Sequence, residues 1–235
     1  MGRQMSAQLL QSEGDMYFLL AAFVFAALTA LAVWKPNRKL EFVAKPAVMA
    51  ALLAYLWIST GLQGAPLWFG LGMLFSLAGD VFLLWLDRFF IFGLVSFLIG
   101  HIAYIIGFNL PASPLSLWGF LLAAMIGLGG ARLIRRILSA LAEKGTARLR
   151  VPVAVYGVVI SLMLLSAMLK LTDMGWNANA SLLAALGAFL FYLSDIVLAW
   201  NKFVTPIRNG RVLNIVLYHL GQICLAAGVV MQFKP

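Results

Sequence analysis

ANASLLAALGAFLFYLSDIVLAWNKF, Ala178 to Phe203, contains one charged side chain, Asp195, before Lys202. The apolar part, 178–200, is longer than the roughly 20 residues that carry a helix across a bilayer. Asp195 is therefore the exception to be explained. An aspartate near the centre of a membrane helix costs roughly 2.5–3.5 kcal/mol on insertion scales, less toward the ends.

Outward from this stretch, the rest of the chain reads the same way. Of 235 residues, 63% are hydrophobic and 11% charged, against roughly 45–50% and about 25% in soluble domains. Segments 16–34, 45–61, 66–86, 89–109, 114–134, 151–170, 178–200 and 212–232 each qualify or nearly qualify as spans, the second being short. They use almost the whole length, so one all-α, polytopic membrane domain of eight transmembrane helices is expected over 1–235. Pro46, Pro66, Pro114 and Pro152 stand at or near segment starts, where a missing N–H is harmless. Arg3 before an apolar run ending in Ala30 and Ala32 has the outline of a signal peptide. Glu13 and Asp15 abut that run and a basic cluster follows it, so it is expected to remain as the first span.

The net charge of +9 does not point to nucleic acid, because the basic residues lie in short connectors with no soluble fold to display them. Connectors after odd-numbered segments hold fourteen Lys and Arg; the opposite side holds three, Arg3, Lys170 and Lys234. This bias puts both termini outside and the basic connectors in the cytoplasm, with a bacterial inner membrane as the expected location. A single cysteine, Cys224, excludes a disulfide within one chain.

Gly79-Asp80-Val81-x-Leu83-x-Trp85, continuing to Arg88-Phe89 and His101, is echoed by Ser194-Asp195-Ile196-x-Leu198-x-Trp200, continuing to Lys202-Phe203 and His219. The echo permits two parallel four-helix repeats related by an axis along the membrane normal. Chance similarity of apolar segments is the alternative.

Asp80 and Asp195 are the acids placed inside spans, at a similar depth of about 8–9 Å by helical rise. A structural reading pairs them across helices with a snorkelling base such as Lys45, Arg88 or Lys202; a functional one has them line a polar cavity. Helical spacing adds stripes: Ser76, Asp80 and Asp87; Tyr192, Asp195 and Lys202; His101, Tyr104 and Asn109; Arg211, Asn214, Tyr218 and Gln222. His101 and His219 alone read as core histidines. With the aspartates they could in principle hold zinc or iron, but no H-x-x-x-H or E-x-x-H pair supports it. No metal and no cofactor are expected.

These motifs resemble the YhhN-like, or transmembrane lysoplasmalogenase, family. The likeness rests on Gly79 to Leu83 with Asp87, on Gly93, Phe97, His101 and Tyr104, on Ser194-Asp195 with Leu198-Ala199 and Asn201-Lys202-Phe203, on Lys45-Pro46, and on the Tyr218 to Gln222 spacing. His219 departs from it, standing where the family tends to carry a second tyrosine. The resemblance implies eight spans and hydrolysis of the vinyl ether of lysoplasmalogen, giving a fatty aldehyde and glycerophosphoethanolamine or glycerophosphocholine. That chemistry needs an acid for the β-carbon and a negative charge for the oxocarbenium ion. Asp80 and Asp195 are expected to supply both as a dyad, with His101 and Tyr104 orienting water or a carboxylate. Lys45, Asn201, Lys202, Arg208 or Arg211 would meet the headgroup phosphate, and Ser76, Tyr192, Tyr218 and Gln222 complete the expected pocket. A lysoplasmalogen or related lysophospholipid and membrane lipids are the expected partners. The rival reading is a proton-coupled small-molecule or lipid transporter using the same aspartates.

Overall fold

The computed structural model describes residues 2–113 and 116–235, and the side chains of these apart from 2–13, 86 and 87. Pro114 and the side chains of Arg3, Glu13 and Asp87 lie outside the described residues. The described residues form eight long helices, α1 (Gly2–Trp34), α2 (Arg38–Thr60), α3 (Ala65–Leu83), α4 (Leu86–Phe108), α5 (Leu117–Glu143), α6 (Arg150–Leu169), α7 (Ala178–Ala199) and α8 (Gly210–Phe233). Each is long and apolar enough to cross a membrane, and the protein is an integral, multi-pass membrane protein.

Local chemistry sets the ends. Asn37 accepts from the Leu40 amide at the start of α2, Ser116 from the Gly119 amide at α5, and Asn177 from the amides of Asn179 and Ala180 at α7. These side chains satisfy N–H groups that a helix leaves without partners. Gly61, at φ 65°, ends α2 in the left-handed conformation that glycine adopts without steric cost.

Two boundaries differ from expectation. α2 starts at Arg38 rather than 45, so Pro46 lies inside a 23-residue helix and Lys45 is a buried helix residue, not a connector residue. Asn37 caps that earlier start, which apolar counting does not register. α5 continues to Glu143 and carries Arg132, Arg135 and Arg136 on helix rather than connector.

Consecutive helices pair as hairpins, α1 with α2, α3 with α4, α5 with α6, and α7 with α8; α2 also packs on α8, and α6 on α4. Small residues make the tightest seam. A Cβ on Gly187 would stand 2.5 Å from the Leu225 amide nitrogen, and one on Gly228 would stand 2.6 Å from that of Ala184. α7 and α8 thus touch backbone to backbone, the close approach that drives association where lipid removes the hydrophobic incentive. Gly187→Val is expected to cost about 1–3 kcal/mol by overpacking, read as a lower thermal midpoint in detergent. α5 is the opposite case: Leu117, Trp118, Phe120, Met125 and Leu128 are exposed, as a lipid-facing helix requires.

At the end of the sixth span, Lys170 pairs with Asp173 just beyond it at 2.8 Å, Lys170 also donates to the Pro111 carbonyl, and Ser113 donates to Asp173. The turn after α6 is thereby tied to the chain after α4. The Lys170 hydrogen bond above all, helped by the Gly175 amide, holds the Asp173 carboxyl below its ordinary range. A depressed folded-state value stabilises above the unfolded value and is lost as pH falls through the folded one. Asp173→Asn is therefore expected to lower the thermal midpoint near neutral pH, and the difference is expected to vanish in acid.

Candidate functional site

The two intramembrane acids occupy separate clusters. Asp80, on α3, is 1% exposed. Lys45 Nζ from α2 stands 3.2 Å from its Oδ1, and the Tyr218 hydroxyl from α8 donates to Oδ2 at 2.7 Å. Lys45 is itself buried, so this is an interhelical ion pair shielded from lipid. Such a pair is tolerated because each charge offsets the desolvation of the other.

Asp195, on α7, meets α6 and α4 instead. The Tyr156 hydroxyl donates a short hydrogen bond to Oδ2; His101 Nε2 lies 3.4 Å from the same oxygen and 3.0 Å from the Tyr156 oxygen. His101 is fully buried, its ring 4.7 Å from that of Phe191. Asp195 keeps 14% of its side chain exposed, and the exposed part faces a cleft.

The cleft lies among α4, α5, α6 and α7, is open on one side, and leaves about 80 Å³ for the centres of water-sized molecules. Its wall is mostly aliphatic and aromatic, with Asp195, Tyr156 and Tyr192 as the hydrogen-bonding side chains that interrupt it. Among the described residues, helix α7 turns into a single π-turn, Trp200–Val204, which brings Phe203 to the same wall. π-turns recur at functional sites because they re-aim side chains. This one seats Lys202 Nζ 4.9 Å from the centre of the Phe90 ring. An apolar slot with one carboxylate partway along suits an alkyl chain that carries a reactive polar bond.

Asp80 does not line the slot. Phe97 does, and its ring lies 5.7 Å from that of Tyr218, the donor to Asp80. Phe191 is 5.2 Å from Tyr218 and 6.0 Å from Phe97. Asp80 therefore sits one aromatic layer behind the wall that Asp195 faces.

The remaining expected site residues divide. Tyr104 donates to Gln222 Oε1 at 2.9 Å and Gln222 donates to Ser76 at 3.2 Å, a buried chain joining α4, α8 and α3. Tyr192 lines the cleft. Asn201 accepts from the Ile207 amide and shapes the loop after the π-turn. Arg211 is engaged with Glu41, 2.6 Å away, and Arg208 is exposed. His219 is buried with neither ring nitrogen hydrogen-bonded. Among the described residues no group of three or more His, Cys, Asp or Glu side chains converges as a metal site would.

Tyr156 is the residue that sequence reasoning missed. It is the one aromatic side chain of its span, and that isolation is the available signal. Buried tyrosines find a partner for the hydroxyl, and here the partner is Asp195.

The Lysoplasmalogenase TMEM86A of Homo sapiens is 33% identical over 168 residues, 70% of this chain, which thereby spans 65% of that relative's length. The Lysoplasmalogenase TMEM86B of Homo sapiens is 25% identical over 220 residues, covering 92% of this chain and 88% of that protein. The Rattus norvegicus Lysoplasmalogenase TMEM86B is 29% identical over 212 residues, covering 88% and 81%. No solved structure matches the chain. The model of the YhhN family matches residues 40–229, a range that holds Lys45, both aspartates, Tyr156 and the whole cleft wall, and the chain belongs to that family.

Proposed function

We propose that the protein hydrolyses the vinyl ether bond of a lysoplasmalogen, releasing a fatty aldehyde and a glycerophospho-alcohol. The observation that carries the reading is the Asp195 carboxyl, hydrogen-bonded by Tyr156 and close to His101, set in the wall of an apolar cleft. The names of the relatives supply the substrate class, and the cleft supplies a place for it.

The alkenyl chain lies along the slot, with its C=C–O group beside Asp195 and the phosphate at the end where Lys202 stands. The carboxyl of Asp195 gives its proton to the β-carbon, and the electron pair of the C=C bond forms the new C–H bond. The positive charge left behind spreads over the α-carbon and the ether oxygen. The carboxylate, now ionised, faces that cation and takes a proton from the water that attacks the α-carbon. The hemiacetal then collapses: its hydroxyl gives up its proton as the aldehyde C=O forms, the C–O bond to glycerol breaks, and that proton ends on the glycerol oxygen. One water is consumed and the acid is regenerated.

In this scheme Tyr156 and His101 orient the Asp195 carboxyl. Asp80, neutralised by Lys45 and screened by Phe97 and Tyr218, holds the wall in place. The expected dyad would need Asp80 to act across that aromatic layer. Tyr156→Phe, which removes the donor and keeps the ring, is expected to lower kcat about 10–100-fold with KM little changed, less than the roughly 10²–10⁴-fold of the positioned acid itself.

The cleft end near Lys202 and the basic connectors face the cytoplasm in this reading, with both termini outside. The test is aldehyde release from a lysoplasmalogen by protein purified in detergent micelles. Aldehyde in micelles also answers the transporter reading, since a carrier without a compartment makes no product.

A further inference from the structure

The cleft is closed at both ends. At one, the rings of Phe90 and Phe203 meet 5.6 Å apart, and Phe203 is buried in one apolar cluster with Ile137, Leu141 and Val153. At the other, Phe97 packs on the rings of Phe191 and Tyr218. A Cβ on Gly130 would stand 3.1 Å from the Ser161 hydroxyl and 3.4 Å from that of Tyr192, so α5, α6 and α7 close on one another there.

What stays open is a side. α4 packs on α3 and α6, and α5 packs on α6 and the π-turn; among the described residues α4 and α5 have no comparable packing on each other. Both helices line the cleft, through Leu94 on α4 and Leu133 on α5 among others. Ile91 and Gly129, one turn before these two on the same strips, are exposed. In a bilayer such a gap opens on lipid chains, which are as apolar as its walls.

Length decides what the gap can do. From Asp195 to the closed end is one turn, to Tyr192 on α7 and from Tyr156 to Ile160 on α6, about 5–6 Å at 1.5 Å per residue. An alkenyl chain that spans one leaflet needs about 15 Å, half of a hydrocarbon core of ~30 Å. The slot holds the reacting bond and the first few carbons, and the rest of the chain has no room inside the protein. Phe90 stands one turn into α4, so the polar half of the lipid reaches the membrane surface through the same opening.

We propose that the lipid enters sideways between α4 and α5, and that its chain, beyond the carbons next to the double bond, stays in the bilayer during turnover. The inference rests on the reading of the cleft as the site of a single-chain ether lipid, and adds its route. The protein then reads the double-bond end of the chain and is indifferent to the far end.

The experiment uses the full chain in neutral detergent micelles and two saturated alkyl-ether lysolipids, which bind without being cleaved. One carries a photoreactive diazirine beside the ether, the other at the methyl end, and labelled residues are located by peptide mass spectrometry. The near-ether probe is expected on the wall, at residues such as Leu94 and Leu133, and the methyl-end probe on the rim, at Ile91 and Gly129. Excess unlabelled alkyl-ether lysolipid should suppress both. A Cβ on Gly129 meets nothing within 4 Å, so G129W folds without a clash and stands over the opening; I91W does so from the other rim. Each is expected to lower wall labelling about ten-fold, as overpacking of a slot does, while L128W, on the exposed face beside it, leaves labelling unchanged.

Methyl-end labels behind the closed end, on Phe191 or Tyr218, overturn the lateral route, as does wall labelling that both rim variants leave intact. Aldehyde from vinyl ether lipids is read separately. Labelling as expected with no aldehyde supports the route and removes the hydrolase reading; aldehyde with methyl-end labels behind the closed end does the reverse.

Discussion

Asp195→Asn is expected to reduce aldehyde release from lysoplasmalogen by about 10³-fold, the middle of the range for losing a positioned general acid, or about 4 kcal/mol of transition-state stabilisation. The asparagine carbonyl can still accept from Tyr156, so the hydrogen bond that joins α6 to α7 survives and the thermal midpoint should hardly move. What is lost is the proton that has to reach carbon. Protonating carbon is the demanding step of vinyl ether hydrolysis, and an amide does not donate to it. The effect should therefore fall on kcat, with KM nearly unchanged, because the cleft that holds the chain is intact. Turnover above a tenth of the wild-type rate in folded Asp195→Asn protein would remove Asp195 from the chemistry, and Tyr192 would then be the next polar group of the cleft to test.

Much of this was legible because the membrane restricts what a sequence can do. In hydrocarbon every backbone polar group must be paired within its own segment, so long apolar runs read directly as helices, and all eight appear. The same restriction made Asp80 and Asp195 conspicuous. Their partners were legible only in part. Lys45 is among the bases that could reach an aspartate, yet apolar counting leaves it at a connector, because the Asn37 cap that starts α2 seven residues earlier is not an apolar signal. Tyr156 carries no motif, and its partner is 39 residues away. Which helix faces which is decided by close approaches such as Gly187 against Leu225, and a single sequence does not encode these as a pattern. The partner of Arg211 is hidden for a simpler reason: Glu41, 170 positions earlier, is brought beside it by the packing of α2 on α8.

The similar depths of Asp80 and Asp195 suggest similar roles, while their partners differ, Lys45 and Tyr218 for one and Tyr156 and His101 for the other. The buried pair of Lys45 and Asp80 is where the second large effect is expected. Lys45→Met leaves the Asp80 carboxylate buried with Tyr218 as its remaining partner, and Asp80→Asn leaves an ammonium buried beside an amide. Breaking a buried pair from one side costs about 3–5 kcal/mol, because the surviving charge must be desolvated without compensation. For a chain of this length that corresponds to a fall on the order of 10 °C in thermal midpoint. The double variant Lys45→Met with Asp80→Asn removes both charges at once and keeps an acceptor for Tyr218. It should recover most of the lost stability, the non-additivity that marks a direct pair. Its activity per folded molecule is expected to stay within about ten-fold of wild type, far above that of Asp195→Asn, because neither side chain lines the cleft. If the double variant regains its stability but is as inactive as Asp195→Asn, the charge of Asp80 reaches the reacting bond across Phe97 and Tyr218, and the reaction is run by two acids rather than one.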